Sequence, residues 1–429
     1  MTSKIRDPQE LQKVQLSRLR ELVGELRENA FYAPRLKEAG LWDGVESLEH
    51  FTSSMPFTLK SELVEDQRLH PPYGTNLTYP LERYVRIHQT SGTSGSPLRW
   101  LDTADGWSFM LETWKKVFAA ARVTPSDRVF FPFSFGPFLG FWTAFDAAAE
   151  LGCLVIPGGG LTSNARLQVL ADNSATVICC TPTYAIRLGE LASEHGIDIS
   201  SVKKVIVAGE PGGSIDGVRR RIADLWSEAT VLDHHGMTEI GPVSYPNPDI
   251  PGLLHVNESS YLAEILDPET LKPVEHGQPG ELVLTVLGRP GSPILRYRTG
   301  DLVRASTRST EELGSEDLAL DGGILARVDD MVVVRGVNLY PSAVERIVRG
   351  FSEIAEYRVH LKDRRSMVEV EVEIEPAEDV TNVDQLCASL GDGFQTAFQL
   401  RIPVTAVASG SLPRFELKAR RWFRREAED

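Results

Sequence analysis

The stretch Thr90-Ser91-Gly92-Thr93-Ser94-Gly95-Ser96-Pro97 consists almost wholly of hydroxyl side chains and glycine. Glycine lets backbone N–H groups approach a ligand closely, and hydroxyls add donors without bulk, so such a loop can wrap the phosphates of a nucleotide. A polar surface turn has the same composition. The Gly-Lys-Ser/Thr ending and following helix of a Walker A loop are missing. Further along, Gly236-Met237-Thr238-Glu239 sets a hydroxyl able to bond a phosphate oxygen beside a carboxylate able to hold Mg²⁺. That cation needs one or two carboxylates in addition to substrate phosphates. A helix N-cap with an acidic first turn would also produce this pair.

These residues need elements to position them. Residues 83–88 and 98–102 read as strands on either side of the loop. From 128 to 208 short apolar runs (128–133, 153–157, 175–180 and 204–208) alternate with helical stretches at 138–151, 163–171 and 183–195, and a further helix is expected at 214–228. Continuous apolar strands alternating with helices indicate a mainly parallel α/β sheet. An amphipathic pattern over 9–39, with Leu11, Val14, Leu16, Leu19, Leu22, Val23 and Leu26 near helical spacing, leads into it. After Pro246 the alternating runs 261–266 and 281–286 predict a β subdomain. From about 327 the order strand, helix, two strands, helix, strand predicts a small α+β domain. The fold class is therefore α/β, a large N-terminal body (1–328) with mainly parallel sheets plus a β subdomain, followed by a small C-terminal domain (329–429).

Composition narrows the chemistry. The chain has 429 residues, 42% hydrophobic and 24% charged, enough for a sizeable core. With 45 basic and 60 acidic residues its net charge of −15 argues against nucleic acid as the main partner, so an anionic substrate must be held locally. The first residues lack a signal-peptide core and no run of about 18 apolar residues occurs, so no membrane association and a cytoplasmic location are expected. Cys153, Cys179, Cys180 and Cys387 show no paired spacing, and the adjacent His234 and His235 make a poor metal pair; no metal site of the protein itself is expected.

Five segments in order resemble the adenylate-forming superfamily of acyl-CoA synthetases, peptide-synthetase adenylation domains and luciferases. They are the 90–97 loop, Asp233-His234-His235-Gly236-Met237-Thr238-Glu239, Tyr297-Arg298-Thr299-Gly300-Asp301, the run from Ala326 to Pro341, and Leu412-Pro413-Arg414-Phe415-Glu416-Leu417-Lys418. Arg335-Gly336-Val337-Asn338-Leu339-Tyr340-Pro341 and the compact length resemble the phenylacetate–CoA ligase branch.

That resemblance implies ATP, Mg²⁺ and coenzyme A as cofactors and an acyl-AMP intermediate. It places Ser91, Gly92, Thr93, Ser94, Gly95 and Thr238 at the phosphates, Glu239 at the metal, and Asp301 at both ribose hydroxyls. Gly209, Glu210 and Pro211, with Asp233, His234 and His235, belong to the nucleotide pocket. Arg327 would join one domain to the other or to ATP, and Arg298 would be an anchor or a phosphate contact. Lys418 resembles the adenylation lysine, an ammonium suited to the charge built when a carboxylate attacks the α-phosphate. The small domain would be mobile, swinging about Asp329 to exchange Lys418 for Arg335 and Gly336, the glycine leaving room for the pantetheine arm. A homodimer is also implied.

Six aromatics between Phe131 and Trp142 suggest an aromatic acid, phenylacetate or a benzoate or anthranilate relative. Phe131 and Phe133 are expected in the core. Phe135, Gly136, Phe138 and Phe141, with Ala208, His234, Gly236 and Ile240, are candidates to line the acid pocket. Ser96 replaces the usual loop lysine, His235 replaces the usual aromatic residue, and Leu417 replaces a frequent glycine. Two other readings share the ATP motifs: loading of a carrier protein instead of free CoA, and a non-catalytic nucleotide-binding relative.

Overall fold

A computed structural model describes residues 8–90, 97–227, 229–334, 337–364, 367–415 and 419–425. Five parallel strands form the central sheet, in the spatial order Leu154–Pro157, Arg128–Phe131, Val177–Cys180, Lys204–Ala208 and Thr230–His234. Successive side chains alternate between its faces. Phe130, Ile178, Val205 and Val207 pack on one side against Leu167, Leu188, Ile222 and Trp226 of the crossover helices. Phe131, Val177, Cys179, Ile206 and Leu232 pack on the other against Met110, Trp114 and Phe118 of the helix Ala104–Ala120. Apolar on both faces, these strands read in sequence as unbroken runs rather than alternations.

The expected lead-in helix is divided. It runs as Pro8–Glu25, turns, and resumes as Tyr32–Glu38. Asn29 causes the break: its buried Oδ1 accepts from the Tyr32 N–H at 2.9 Å while its Nδ2 donates to Thr78 Oγ1 at 2.9 Å. Leu19, Leu22, Val23 and Leu26 then pack with Leu262, Leu287 and Leu295 of the β subdomain. That subdomain contains an antiparallel sheet of Tyr261–Leu266, Pro279–Val286, Tyr297–Arg304 and Ala326–Arg327.

The C-terminal domain has its own core, formed by Val344, Tyr357, Val359, Val372, Leu390 and Phe394 among others. Two features depart from expectation. The first strand, Val332–Val334, pairs with Val337–Leu339 in a hairpin outside the main sheet. The four-stranded sheet is instead completed by Trp422–Arg425, parallel to Ile354–Arg364; the other strands are Met367–Pro376 and Val404–Ala406. Among the described residues no helix is long and apolar enough to cross a membrane.

Candidate active site

Asp301 lies within the strand Tyr297–Arg304, although a Gly-Asp pair has the composition of a turn. Gly300, at φ +75°, breaks the regular extended backbone just before it, and a Cβ there would sit 2.9 Å from Arg327 Nη2. The Asp301 carboxylate is buried between two cationic or polarisable partners. Arg327 Nη1 donates to Oδ1 at 3.0 Å, and His235 Nε2 lies 2.9 Å from Oδ2. Burial alone would raise its pKa; the His235 and Arg327 contacts outweigh that and hold the carboxyl below its usual range. Arg327 also forks onto Asp329, with Nε to Oδ1 at 2.8 Å and Nη2 to Oδ2 at 2.9 Å. Arg298 is anchored on buried Glu281, at 2.5 Å, and on the Pro268 carbonyl, at 3.1 Å.

Glu239 is a second buried carboxylate, in the turn between Gly236–Met237 and Gly241–Pro242. Gly236 is required there because a Cβ would meet the Gly241 carbonyl at 2.7 Å. Tyr297 Oη donates to Glu239 Oε1 at 3.1 Å, and Lys60 Nζ lies 3.1 Å from the same oxygen. Burial, reinforced by the Glu239 charge, pushes the Tyr297 hydroxyl far above its ordinary pKa, so it remains a donor. Behind the turn, Arg289 is almost wholly buried, paired with Asp102 at 2.6 Å and donating to the Glu239 carbonyl at 3.1 Å. This Asp102–Arg289 link ties the strand after the glycine-rich loop to the Glu239 turn. Thr238, half-buried, stands beside Glu239 in that turn.

Asp233 and His234 end the last strand of the parallel sheet. Burial raises the Asp233 carboxyl to about 6, although Ser214 Oγ donates to it at 2.5 Å. Burial also lowers His234, to about 3. Its Nδ1 is 2.7 Å from the Ser244 carbonyl, so Nδ1 carries the proton and Nε2 keeps a lone pair. The ring lies against Trp114 at 4.2 Å, and its Nε2 is 3.3 Å from where a Cβ on Gly236 would stand.

Ala208, adjacent to His234 in register, is buried with the aromatic cluster. Phe141 belongs there too, against Trp114 and Phe133; Phe135 packs edge-on to Trp142 and Phe145. Gly136 accepts the Trp142 indole N–H through its carbonyl at 3.0 Å. Phe138 is not drawn into this cluster and is 43% exposed. Ile240 is fully buried in a different cluster, with Trp100, Val243 and Tyr261. The Gly209-Glu210-Pro211 segment follows the strand Lys204–Ala208, with Gly209 at φ +93°. Its Glu210 side chain accepts from the Thr183 N–H at 2.9 Å and from the Ala419 N–H at 3.0 Å.

Ser91, Gly92, Thr93, Ser94, Gly95, Arg335, Gly336 and Lys418 lie outside the described residues. Their flanks are described: Thr90 closes the base of the loop, its Oγ1 accepting from the Leu98 N–H at 3.0 Å. Sequence reasoning missed Lys60, Arg289 and Asp102, which belong to no short motif and whose partners lie far away along the chain, and it gave no role to Tyr297, although that residue opens one of the five segments. It also missed Glu375, which accepts from Gly410 N–H, Leu412 N–H and Arg414 just before Lys418.

A parallel sheet ending in this polar cluster, a β subdomain and a separate α+β domain define a nucleotide-dependent ligase of the adenylate-forming class. The family model for AMP-binding enzymes matches residues 62–286, and that for the AMP-binding enzyme C-terminal domain matches 336–425. Phenylacetate-coenzyme A ligase of Pseudomonas putida is 32% identical over 95% of this chain and 93% of its own. The crystal structure of 2-hydroxyisobutyryl-CoA ligase in its postadenylation state superposes with TM-score 0.90 at 27% identity, covering 97% of this chain and 90% of that one. The same ligase in its thioesterification state, bound to its acyl-AMP and CoA, gives TM-score 0.69 at 28% identity, covering 98% and 91%. The chain belongs to the AMP-binding enzyme family and is an AMP-forming acid–CoA ligase.

Proposed function

We propose that the acid is an aryl carboxylate, phenylacetate or a benzoate or anthranilate relative, and that Asp301 is the residue around which its activation is organised. The carboxylate oxygen of the acid attacks the α-phosphorus of ATP, the bond to the β-phosphate oxygen breaks, and acyl-AMP and pyrophosphate form. The CoA thiolate then attacks the acyl carbon, and AMP leaves with the electron pair of the C–O bond. The observation that carries this reading is the buried, ionised Asp301 between His235 and Arg327, an acceptor suited to a ribose diol at the C-terminal end of a family-typical core.

Around it, the backbone of Gly209, Glu210 and Pro211 would border the adenine, with the Glu210 carboxylate turned to Thr183 and Ala419, and Ser91–Gly95 with Thr238 would bind phosphates. Glu239 suits Mg²⁺: it is a buried carboxylate whose cationic neighbour, Lys60, is 46% exposed and free to turn toward solvent. Mg²⁺ would supply neutralisation of the phosphate charge. Lys418 would stabilise charge at the α-phosphate, and after rotation about Asp329 the Arg335–Gly336 segment would receive CoA. We place the domains at 1–328 and 329–429, in a cytoplasmic homodimer.

Several related ligases name phenylacetate, and the aromatic cluster with Phe135 and Phe141 supports an aryl group. A second reading of the acid rests on His234. Neutral, with Nε2 as an acceptor beside Gly236, it would favour an acid carrying a hydroxyl or amino donor near the carboxylate. A pyrophosphate-release assay over phenylacetate, benzoate, anthranilate, salicylate and straight-chain acids, with and without CoA, tests both. Release limited to aryl acids supports the proposal, and preference for anthranilate or salicylate supports the His234 reading. Release only with aliphatic acids sinks it. Pyrophosphate release without a CoA thioester product would shift the acceptor to a carrier protein.

A further inference from the structure

We infer that Glu210 is a positioning residue for adenylation: its carboxylate clasps the backbone N–H of Ala419 and docks the Lys418 segment onto the large domain. The inference rests on the proposal that Lys418 serves the first half-reaction. Glu210 is fixed on its own side first. Gly209 turns at φ +93°, and Gly212 comes so close to Pro182 that a Cβ would lie 2.4 Å from that ring. The loop is thereby pressed against the start of the helix Pro182–His195, where Glu210 accepts the otherwise unpaired Thr183 N–H at 2.9 Å. Its other oxygen, Oε2, accepts from Ala419 at 3.0 Å across the domain boundary.

The small domain presents that N–H between two pinned arginines, Arg414 and Arg421. Buried Glu375 accepts from Gly410 at 2.8 Å, from Leu412 at 3.0 Å and from Arg414 Nη2 at 2.5 Å. Buried Glu356 accepts from Arg421 Nε at 2.7 Å and Nη2 at 3.1 Å. Arg414 and Arg421 are therefore two fixed points on either side of Ala419, and Glu210 meets the chain at Ala419, the residue that follows Lys418 in sequence. A rotation that carries the small domain away must break the Ala419 contact but leaves both pins intact, because Glu375, Arg414, Glu356 and Arg421 all move together. Glu210 thus acts in one half-reaction and is released for the other.

The test separates the halves in the full-length enzyme. ATP–pyrophosphate exchange with phenylacetate reports adenylation, and single-turnover transfer from supplied phenylacetyl-AMP to CoA reports thioester formation. Glu210→Gln should lower exchange about 10–100-fold, the scale of losing a hydrogen bond to a charged acceptor, while transfer stays within about 3-fold. Ala419→Pro removes the donor and should reproduce that split, with Glu210→Gln adding no more than about 2-fold on that background. Equal losses in both halves, or exchange within about 2-fold of wild type in Glu210→Gln, overturn the inference. Lys418→Ala is run alongside. If it leaves exchange intact, the assignment of Lys418 fails; if it abolishes exchange while Glu210→Gln does not, only the docking role fails.

Discussion

The Asp301 cluster and the segments flanking Lys418 are both organised by buried carboxylates, yet they are joined to the molecule differently. Asp301 takes its partners, His235 and Arg327, from strands and loops of the large body. The segments flanking Lys418 are held as firmly, by Glu375 before it and Glu356 after it, but wholly within the small domain. The two regions meet at lighter contacts: Glu210 to Ala419, Ser342 Oγ to the Leu325 carbonyl, and Gly217 against the Arg349 carbonyl. Among the described residues the buried ion pairs lie inside each body, and the ion pair that crosses the border, Arg327 to Asp329, sits at the hinge itself with its Asp329 side exposed. Under the proposed rotation, a transition between two domain poses would then cost a few exposed or single hydrogen bonds rather than a buried ion pair, within the few kcal/mol that substrates can redistribute.

The comparison is broken most severely by Lys418→Ala. Removing one positioned donor of transition-state charge costs about 10²–10³ in rate. Pyrophosphate release should fall on that scale, while transfer from supplied acyl-AMP to CoA persists. Next comes Asp301→Asn, which removes an anion facing Arg327 and His235 and leaves the guanidinium one-sided. The KM for ATP should rise more than about 10-fold, from loss of about 1.5–3 kcal/mol of charge-assisted bonding. Since Asp301 is held below the ordinary carboxylate range, wild-type nucleotide binding should persist as pH falls through that range and fail only beneath it. Isothermal titration with ATP across acidic pH checks both statements.

Glu375→Gln probes the other region. Burial would raise this carboxyl, but Arg414 and the N–H groups of Gly410 and Leu412 lower it to about 2 from 4.5. A depressed acid stabilises the fold above its unfolded pKa and loses that contribution as pH falls toward the folded value. The gain, on the order of 3 kcal/mol, should be complete near pH 6 and shrink between about pH 4.5 and 2. In Glu375→Gln, hydrogen exchange in the strand Met367–Pro376 should accelerate at neutral pH, and its pH dependence below 4.5 should flatten. Gly217→Ala acts on the joint itself. A Cβ would stand 2.1 Å from the Arg349 carbonyl, so the helices must part. Adenylation should weaken about 3–10-fold, while the melting of each domain changes little.

Much of this was legible before the structure. The central sheet showed in unbroken apolar runs because both its faces are covered, and the motif residues Asp233 to Glu239 and Asp301 fall together at one end of it. What hid was mostly long-range or disguised. Asp102 and Arg289 are a buried pair separated by 187 positions, and nothing local marks either. Trp422–Arg425 is a sheet strand, yet only two of its four residues are apolar and the order strand, helix, two strands, helix, strand does not include it. Asp301 read as a turn because a single left-handed glycine imitates one inside a strand. Ile240 and Phe138 show the limit of proximity in sequence: one residue beside Glu239 is committed to another core, and one aromatic among six faces water.

The smallest effect sharpens the Glu239 side of the site. Lys60 is 46% exposed and meets a carboxylate that is 3% exposed and also bonded to Tyr297. A partly solvated pair of this kind contributes about 0–1 kcal/mol, so Lys60→Ala should move the melting temperature by only a few degrees. Its informative readout is magnesium. An ammonium 3.1 Å from Oε1 competes with a cation for the same oxygen. If neutralising Glu239 is all that Lys60 does, its removal should lower the Mg²⁺ concentration giving half-maximal pyrophosphate release, by about 2–5-fold. A rise in that concentration, accompanied by a higher KM for ATP, would mean instead that the ammonium turns to the phosphates once nucleotide arrives. Lys60 would then supply the cation that Ser96 cannot.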